Sequence, residues 1–160
     1  MYKLLLLILM SVVYMALYAL QTDEELAMHT LFQGKHALNR AVHAAAQQSD
    51  QGKLAIGIHV IEESKAKTEA MRYLQSNLRL NSNNDPLPET FLRTRVVVEL
   101  FKIINDREVF PYTYTNITNG YSVTLNKPGV VMFIRLEFPR TYSVLQPISW
   151  TIKSSAEMVY

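Results

Sequence analysis

The sequence predicts an α+β protein carried on an N-terminal membrane helix, and three observations support this prediction. The chain begins with an uncharged apolar run, residues 4–20. Two segments with helical hydrophobic spacing follow, and residues 95–160 alternate apolar and polar side chains at the period of a β-strand. We therefore expect an N-terminal transmembrane helix continuing into an amphipathic helix, a second helix, and a C-terminal antiparallel β-sheet of about 4–6 strands packed on the helices.

The amino-acid composition and net charge exclude several classes of function. The 160 residues are 49% hydrophobic and 19% charged, which is too apolar for a disordered chain. The net charge of +2 is too small for a protein that binds the phosphate backbone of nucleic acid over a wide surface. The absence of Cys excludes disulfide scaffolds, thiolate nucleophiles and Cys-type metal sites. We expect the membrane as a partner, no nucleic acid, no cofactor and no small-molecule substrate.

The apolar run, LLLLILMSVVYMALYAL, is the predicted membrane anchor. Its 17 residues contain no charge, Pro or Gly, and about 17 residues is the shortest helix that crosses a hydrocarbon core. Lys3 precedes the run and acidic residues 23–25 follow it. Positive charge at the N-terminal end predicts a cytoplasmic N-terminus and an extracytoplasmic location for residues 21–160. The side chains expected to form the anchor are Leu4, Leu7, Ile8, Val12, Tyr14, Leu17, Tyr18 and Leu20.

A cleaved signal peptide is the alternative interpretation of the same run. The apolar region of a signal peptide usually spans about 7–15 residues and ends in a small-x-small site. Here Ala19 fits the last position, but Leu17 occupies the small-residue position two before it. We therefore favour a retained anchor, residues 1–21, followed by an extracytoplasmic α+β domain, residues 22–160. Both interpretations export that domain, and an exported chain without Cys suits a bacterial surface.

Two helices are predicted after the anchor. The first spans about residues 22–48 and contains the stretch AVHAAAQQ, which is rich in strong helix formers. The second spans about residues 62–80 and ends before a polar, Pro-bounded loop, residues 81–88. Between the helices, residues 54–61 are apolar and β-branched, which favours a strand or extended segment over a helix.

The sheet is predicted within residues 95–160. Asn119-Gly120 is the signal for a type I′ hairpin turn between two alternating segments. The clearest strand occupies residues 148–158, where apolar side chains face one way and mostly polar side chains the other. Such alternation predicts one buried face and one face in water, and the two helices can cover the buried face.

No motif in the sequence predicts catalysis, and we expect that the protein is not an enzyme. The chain has no nucleophile elbow, no phosphate-binding glycine loop and no H-E-x-x-H motif. His29, His36 and His43 recur at intervals of seven residues, but each step along a helix is about 10.5 Å, too far for one metal ion. Partly exposed surface histidines are the favoured interpretation. The alternative is a metal-binding or pH-sensing row formed with a neighbouring helix.

An exported module that binds cell-wall glycan or a small ligand is the alternative function. Its ring platform would use Trp150, Tyr112, Tyr114 and Tyr121. Exposure of these rings in a concave site would favour a binding module. Burial of the rings against the helices would favour a structural protein.

Four sequence pieces together carry a family resemblance. After the single N-terminal span, the first helix ends LNRAVHAAAQQSD and the second ends AMRYLQSNLRL; the tail holds PGVVMFIRLEFP and then PISWTIKSSAEMVY. This layout resembles the TadE-like proteins, which are minor pilins or pseudopilins of tight-adherence (Flp-type) pilus systems. The resemblance implies a membrane-anchored, non-enzymatic protein that exports a small α+β domain and helps to assemble an extracellular pilus. The implied partners are other pilin-like subunits or pilus assembly proteins.

Lateral packing of the first helix on neighbouring subunits is the expected mechanism. Small side chains permit close helix approach, and the predicted packing face consists of Ala37, Ala41, Ala44 and Ala45. The chain departs from the family at the processing site, where prepilins carry a small residue followed by Glu before the apolar segment. Here Met1-Tyr2-Lys3 makes a very short leader, and Glu24 is the first Glu. We therefore do not expect processing by a prepilin peptidase; a permanent anchor, a divergent relative or a different export route fits better.

Overall fold

A computed structural model describes residues 2–142 and 145–160, and it confirms the α+β class. Helix α1 spans Tyr2–Ala46, the short helix α2 spans Gln51–Leu54, and α3 spans Glu63–Leu78. The strands are β1 (Val97–Ile104), β2 (Tyr112–Asn116), β3 (Tyr121–Leu125), β4 (Gly129–Phe138) and β5 (Ile148–Glu157).

Helix α1 joins the predicted anchor and the predicted first amphipathic helix without a break over 45 residues. Its first half is exposed, whereas its second half buries a stripe that recurs at helical spacing. The buried stripe runs from Asp23 through Ala27, Thr30, Gly34, Ala37, Leu38, Ala41, Val42 and Ala45 to Ala46. The boundary between anchor and domain is therefore a change of environment along one helix.

The strand or extended segment expected at residues 54–61 is wrong for its first half, because Leu54 ends α2 and residues 55–57 form a turn; Ile61, at the other end, forms an isolated antiparallel bridge with Ser49. Asp50 instead caps α2, and its Oδ1 accepts hydrogen bonds from the backbone N–H groups of Gly52 (2.9 Å) and Lys53 (3.1 Å). Gly57 then turns the chain with φ 80°, a conformation that glycine adopts without strain. The apolar alternation in this segment therefore belongs to a capped helical turn and a loop, because the local cap and the glycine turn prevail over the strand pattern.

A three-stranded antiparallel sheet in the order β1-β4-β5 forms the centre of the domain. Helices α1 and α3 cover one face, where Val130, Met132 and Ile134 join the main core. The hairpin β2–β3 covers the other face, where Val131 and Phe133 join a second core. The first six residues of β4 are consequently all buried, so the expected water-exposed face is wrong for this strand.

The hairpin turn lies where the sequence signal placed it, but it is longer than predicted. Strand β2 ends at Asn116 and β3 begins at Tyr121, which leaves a loop of residues 117–120. The Oδ1 atom of Asn116 accepts a hydrogen bond from the Asn119 N–H (3.0 Å), and Gly120 has φ 55°. The side-chain acceptor therefore stabilises a four-residue loop where a two-residue type I′ turn was predicted.

Close approach between α1 and the sheet depends on Gly34. A Cβ at this position would overlap the Cδ1 atom of Leu136 and lie 2.9 Å from the Cδ1 atom of Ile152. Further along, the Oγ of Ser154 donates a hydrogen bond to Oδ1 of Asn39 (2.8 Å). Strand β5 therefore runs beside α1 in the same direction, from the anchor end of the domain to the distal end.

Candidate functional site

The exposed apolar half of α1 is the candidate functional site. Within the described residues, α1 is long and apolar enough to cross a membrane: its most apolar 18-residue window has a mean hydropathy of 2.2, and none of that window is buried. Large apolar side chains on a soluble surface rarely form such a continuous patch. The architecture therefore fits a single-pass membrane protein.

Seven of the eight predicted anchor residues are fully exposed along this segment. Their exposed fractions range from 54% at Ile8 to 71% at Tyr14. The eighth, Leu20, is half-buried, as is Ala19. Both lie on the same side of α1 as the buried Asp23, so the domain already shields the last turn of the apolar segment.

Asp23 marks the point at which α1 enters the domain, and its carboxylate is 4% exposed. Its Oδ2 accepts a hydrogen bond from the backbone N–H of Thr141 (2.8 Å), and its Oδ1 accepts one from the Thr141 hydroxyl (2.6 Å). These two bonds satisfy the buried carboxylate. From the sequence, Asp23 is expected only as part of the acidic flank of the anchor. Asp23 lies four residues before Ala27, on the helical stripe that continues to Gly34. This spacing is the sequence signal that could have predicted the burial of Asp23.

The predicted packing face of small residues lies inside the domain. Ala37, Ala41 and Ala45 are 3%, 0% and 0% exposed and belong to the main core, whereas Ala44 is half-buried. Small residues on α3, including Ala70, belong to the same core, and α1 packs against α3. The close helix approach that these alanines permit is thus within one chain. Ala37, Ala41 and Ala45 are therefore not available to a neighbouring subunit, which corrects the expected mechanism for these three residues, whereas Ala44 remains partly accessible.

Apolar side chains also remain exposed on α1 beyond the anchor. Met28 is 46% exposed and Phe32 is 58% exposed, and their spacing of four places them on one face of the helix. Leu26 is also exposed (52%), but it lies on a different side of the helix from Met28 and Phe32. The face of Met28 and Phe32 lies opposite the buried stripe, so the domain does not cover it.

The three spaced histidines occupy the surface of α1. The ring of His29 lies edge-on to Phe91, with ring centroids 6.3 Å apart, and Gln33 Nε2 is 3.3 Å from the His29 ring nitrogens. His36 and His43 are exposed. Among residues 2–142 and 145–160, no group of three or more His, Asp or Glu side chains is placed to hold a metal ion. These positions fit surface histidines.

The four rings of the alternative ligand platform are packing groups. Trp150 packs against the main core, and Tyr112, Tyr114 and Tyr121 belong to the second core or pack against it. Tyr121 also donates a hydrogen bond from its hydroxyl to the Ser155 Oγ (2.9 Å). Only Trp150 thus packs on the side of the sheet that the helices cover, as expected for a structural protein, whereas the three tyrosines pack under the β2–β3 hairpin.

One basic side chain bridges α1 and β5. The ammonium group of Lys35 donates a hydrogen bond to the backbone carbonyl of Lys153. Partial burial lowers the pKa of Lys35 from its ordinary value, because the charged form loses hydration. The contact joins helix to sheet and brings no nucleophile or acid–base pair together.

No protein-family model, curated protein or solved structure matches this chain. The class of protein therefore follows from its own architecture. It is an α+β domain built on the C-terminal half of a helix whose N-terminal half is a candidate membrane span.

Proposed function

We propose that the protein is a membrane-anchored, exported, pilin-like structural or assembly component of a bacterial surface pilus or secretion system. Its N-terminus lies in the cytoplasm and residues 21–160 lie outside the membrane. Lys3 before the span and acidic residues 23–25 after it support this orientation. Its partners are neighbouring pilin-like subunits or assembly proteins, and its role is mechanical.

One observation carries the proposal: α1 belongs both to the membrane span and to the core of the domain. At about 1.5 Å per residue, its 45 residues measure about 68 Å. A continuous helix that is embedded in lipid at one end and packed in a domain at the other couples the position of the domain to the membrane. The same layout, an anchor followed by a small α+β domain, is the one that the TadE-like resemblance implies.

The exposed face of Met28 and Phe32 supports a role in assembly. Phe32 lies 12 residues beyond Leu20, which is about 18 Å along the helix. The headgroup region adds only about 5–7 Å on each side of the hydrocarbon core. Lipid therefore does not cover Phe32, and we infer that the exposed face of Met28 and Phe32 is a contact for another protein. In a pilus this contact is the neighbouring subunit.

Deletion of the gene in its own cells, followed by electron microscopy of surface filaments, tests the proposal. We expect the deletion to remove the filaments and the unaltered gene to restore them. We expect Phe32→Glu to fail to restore them, because a charge replaces the apolar contact. The matched control is Val109→Glu, a change at a side chain that is 87% exposed and outside both cores.

Two results would overturn the proposal. Filaments that persist in the deletion strain would exclude a role in their assembly. Full restoration by Phe32→Glu, at an equal amount of membrane-bound protein, would exclude the proposed contact face. Immunoblots of the membrane fraction provide the comparison of protein amounts.

A further inference from the structure

We propose that the loop between β4 and β5 rests on the lipid surface of the same bilayer that holds α1. We define the basal loop as residues 139–142 and 145–147 of the described chain. The proposal rests on the membrane span and is independent of any role in a pilus.

The basal loop contacts α1 just beyond the end of the apolar run. Thr141 bonds to Asp23, which lies three residues beyond Leu20, the last residue of the apolar run. Three residues of helix rise by about 4.5 Å, whereas the headgroup region is about 5–7 Å thick on each side. With the end of the apolar run at the edge of the hydrocarbon core, Thr141 lies within the headgroup region.

The apolar run is short compared with the hydrocarbon core of a bilayer. Its 17 residues measure about 25 Å as a helix, which is less than the hydrocarbon thickness of about 30 Å. A short hydrophobic span is accommodated by local thinning of the bilayer and by drawing the flanking residues towards the membrane. This mismatch presses the base of the domain, where Ala19 and Leu20 are already half-buried, against the lipid.

The side chains of the basal loop suit contact with a lipid surface. Tyr142 is 38% exposed and Leu145 is 40% exposed, which suits the boundary between headgroups and acyl chains. Arg140 supplies a positive charge at the same level, and its Nε donates a hydrogen bond to the Gln146 carbonyl (3.2 Å). The basal loop therefore presents apolar side chains and a cation to a lipid surface.

The two bonds from Thr141 to Asp23 give the basal loop a second role. A carboxylate close to the hydrocarbon boundary is costly unless its oxygens are hydrogen-bonded. Thr141 satisfies both oxygens of Asp23, and Asp23 in turn holds the basal loop against α1. The membrane anchor and the basal loop thus form two points of attachment, which set the tilt of the domain relative to the bilayer.

Spin-label accessibility in vesicles tests the proposal. The full chain, which has no native Cys, is labelled at Leu145→Cys and reconstituted in phosphatidylethanolamine–phosphatidylglycerol vesicles. The control label is at Val109→Cys, in the loop after the distal end of β1. We expect collisions with a water-soluble nickel complex to be several-fold rarer at position 145 than at position 109, and collisions with oxygen to be more frequent.

Two outcomes would refute lipid contact at the basal loop. Equal nickel accessibility at positions 145 and 109 would place the loop in water. Low accessibility to both nickel and oxygen at position 145 would mean that protein, such as a second copy, covers the loop.

The role of Asp23 has its own test with the label at position 145. Asp23→Ala is expected to raise nickel accessibility and label mobility towards the values at position 109. Glu24→Ala, at the exposed neighbouring carboxylate, is expected to change neither. If Asp23→Ala does not fold by circular dichroism, Thr141→Ala removes the hydroxyl bond and retains the backbone bond. An unchanged label in the folded variant would exclude the proposed attachment.

Discussion

Small residues on α1 determine how closely the helix approaches the rest of the domain. Gly34 costs about 1 kcal/mol of helix propensity relative to Ala, but it allows the side chains of Leu136 and Ile152 to lie against the helix backbone. Ala41 is completely buried in the main core. Side-chain volume at these positions is therefore constrained by packing within the chain.

Ala41→Leu is expected to destabilise the domain by about 1–3 kcal/mol, because added methylenes overpack a filled core. Urea unfolding of the detergent-solubilised full chain, followed by the near-ultraviolet circular dichroism of Trp150, measures the change in the free energy of unfolding.

Ala44→Leu is the matched control for Ala41→Leu. Ala44 lies less than one turn away on the same helix but is half-buried, so we expect a change within about 0.5 kcal/mol. Equal losses of stability in the two variants would contradict the distinction between the two sites.

At the scale of the elements, α1 passes through two environments, and each leaves a different sequence pattern. The anchor is apolar on every side, whereas the segment from Asp23 to Ala46 buries one mainly apolar stripe and carries mostly polar side chains elsewhere, apart from exposed side chains such as Met28 and Phe32. The helix and strand positions follow from such local patterns, with α3 and β5 the clearest cases. Residues 54–61 show the limit, because the Asp50 cap and the Gly57 turn outweigh an apolar alternation.

Charges placed within the anchor are predicted to abolish membrane association. Leu9→Arg combined with Val12→Arg places two charges near the middle of the span, and each costs about 2.5–3.5 kcal/mol on insertion. We expect the double variant to be lost from membranes washed with alkaline carbonate, whereas the unaltered chain stays with them.

The matched control for the anchor variant is Ile117→Arg, at a hairpin side chain that is 90% exposed. It adds a charge outside the membrane, so its membrane association should be that of the unaltered chain. Release of the unaltered chain by carbonate would contradict the membrane span itself.

At the scale of the whole molecule, the proposed orientation rests on the charges at the two ends of the candidate span. Lys3 stands at one end and acidic residues 23–25 at the other. The domain that follows carries its main core between the helices and one face of the sheet, and its second core under the β2–β3 hairpin. The proposal thus uses one charge asymmetry to place the entire domain outside the membrane.

The absence of native Cys allows this orientation to be measured. In intact bacteria, a membrane-impermeant maleimide is expected to label Val109→Cys and to leave Tyr2→Cys unlabelled. Lysis should expose both sites, which serves as the control. Labelling of Tyr2→Cys in intact cells would reverse the orientation. Its absence from the mature chain after lysis would indicate a cleaved signal peptide.

The sequence by itself determined the apolar segment, the two amphipathic helices and the alternating strands, because length and hydrophobic period are local properties. Tertiary structure alone decided which surfaces those elements share. Thr141 meets Asp23 across 118 positions of sequence, and the β2–β3 hairpin covers the second face of β4. Neither contact has a local signature, since each depends on how distant segments are brought together by the burial of a common core.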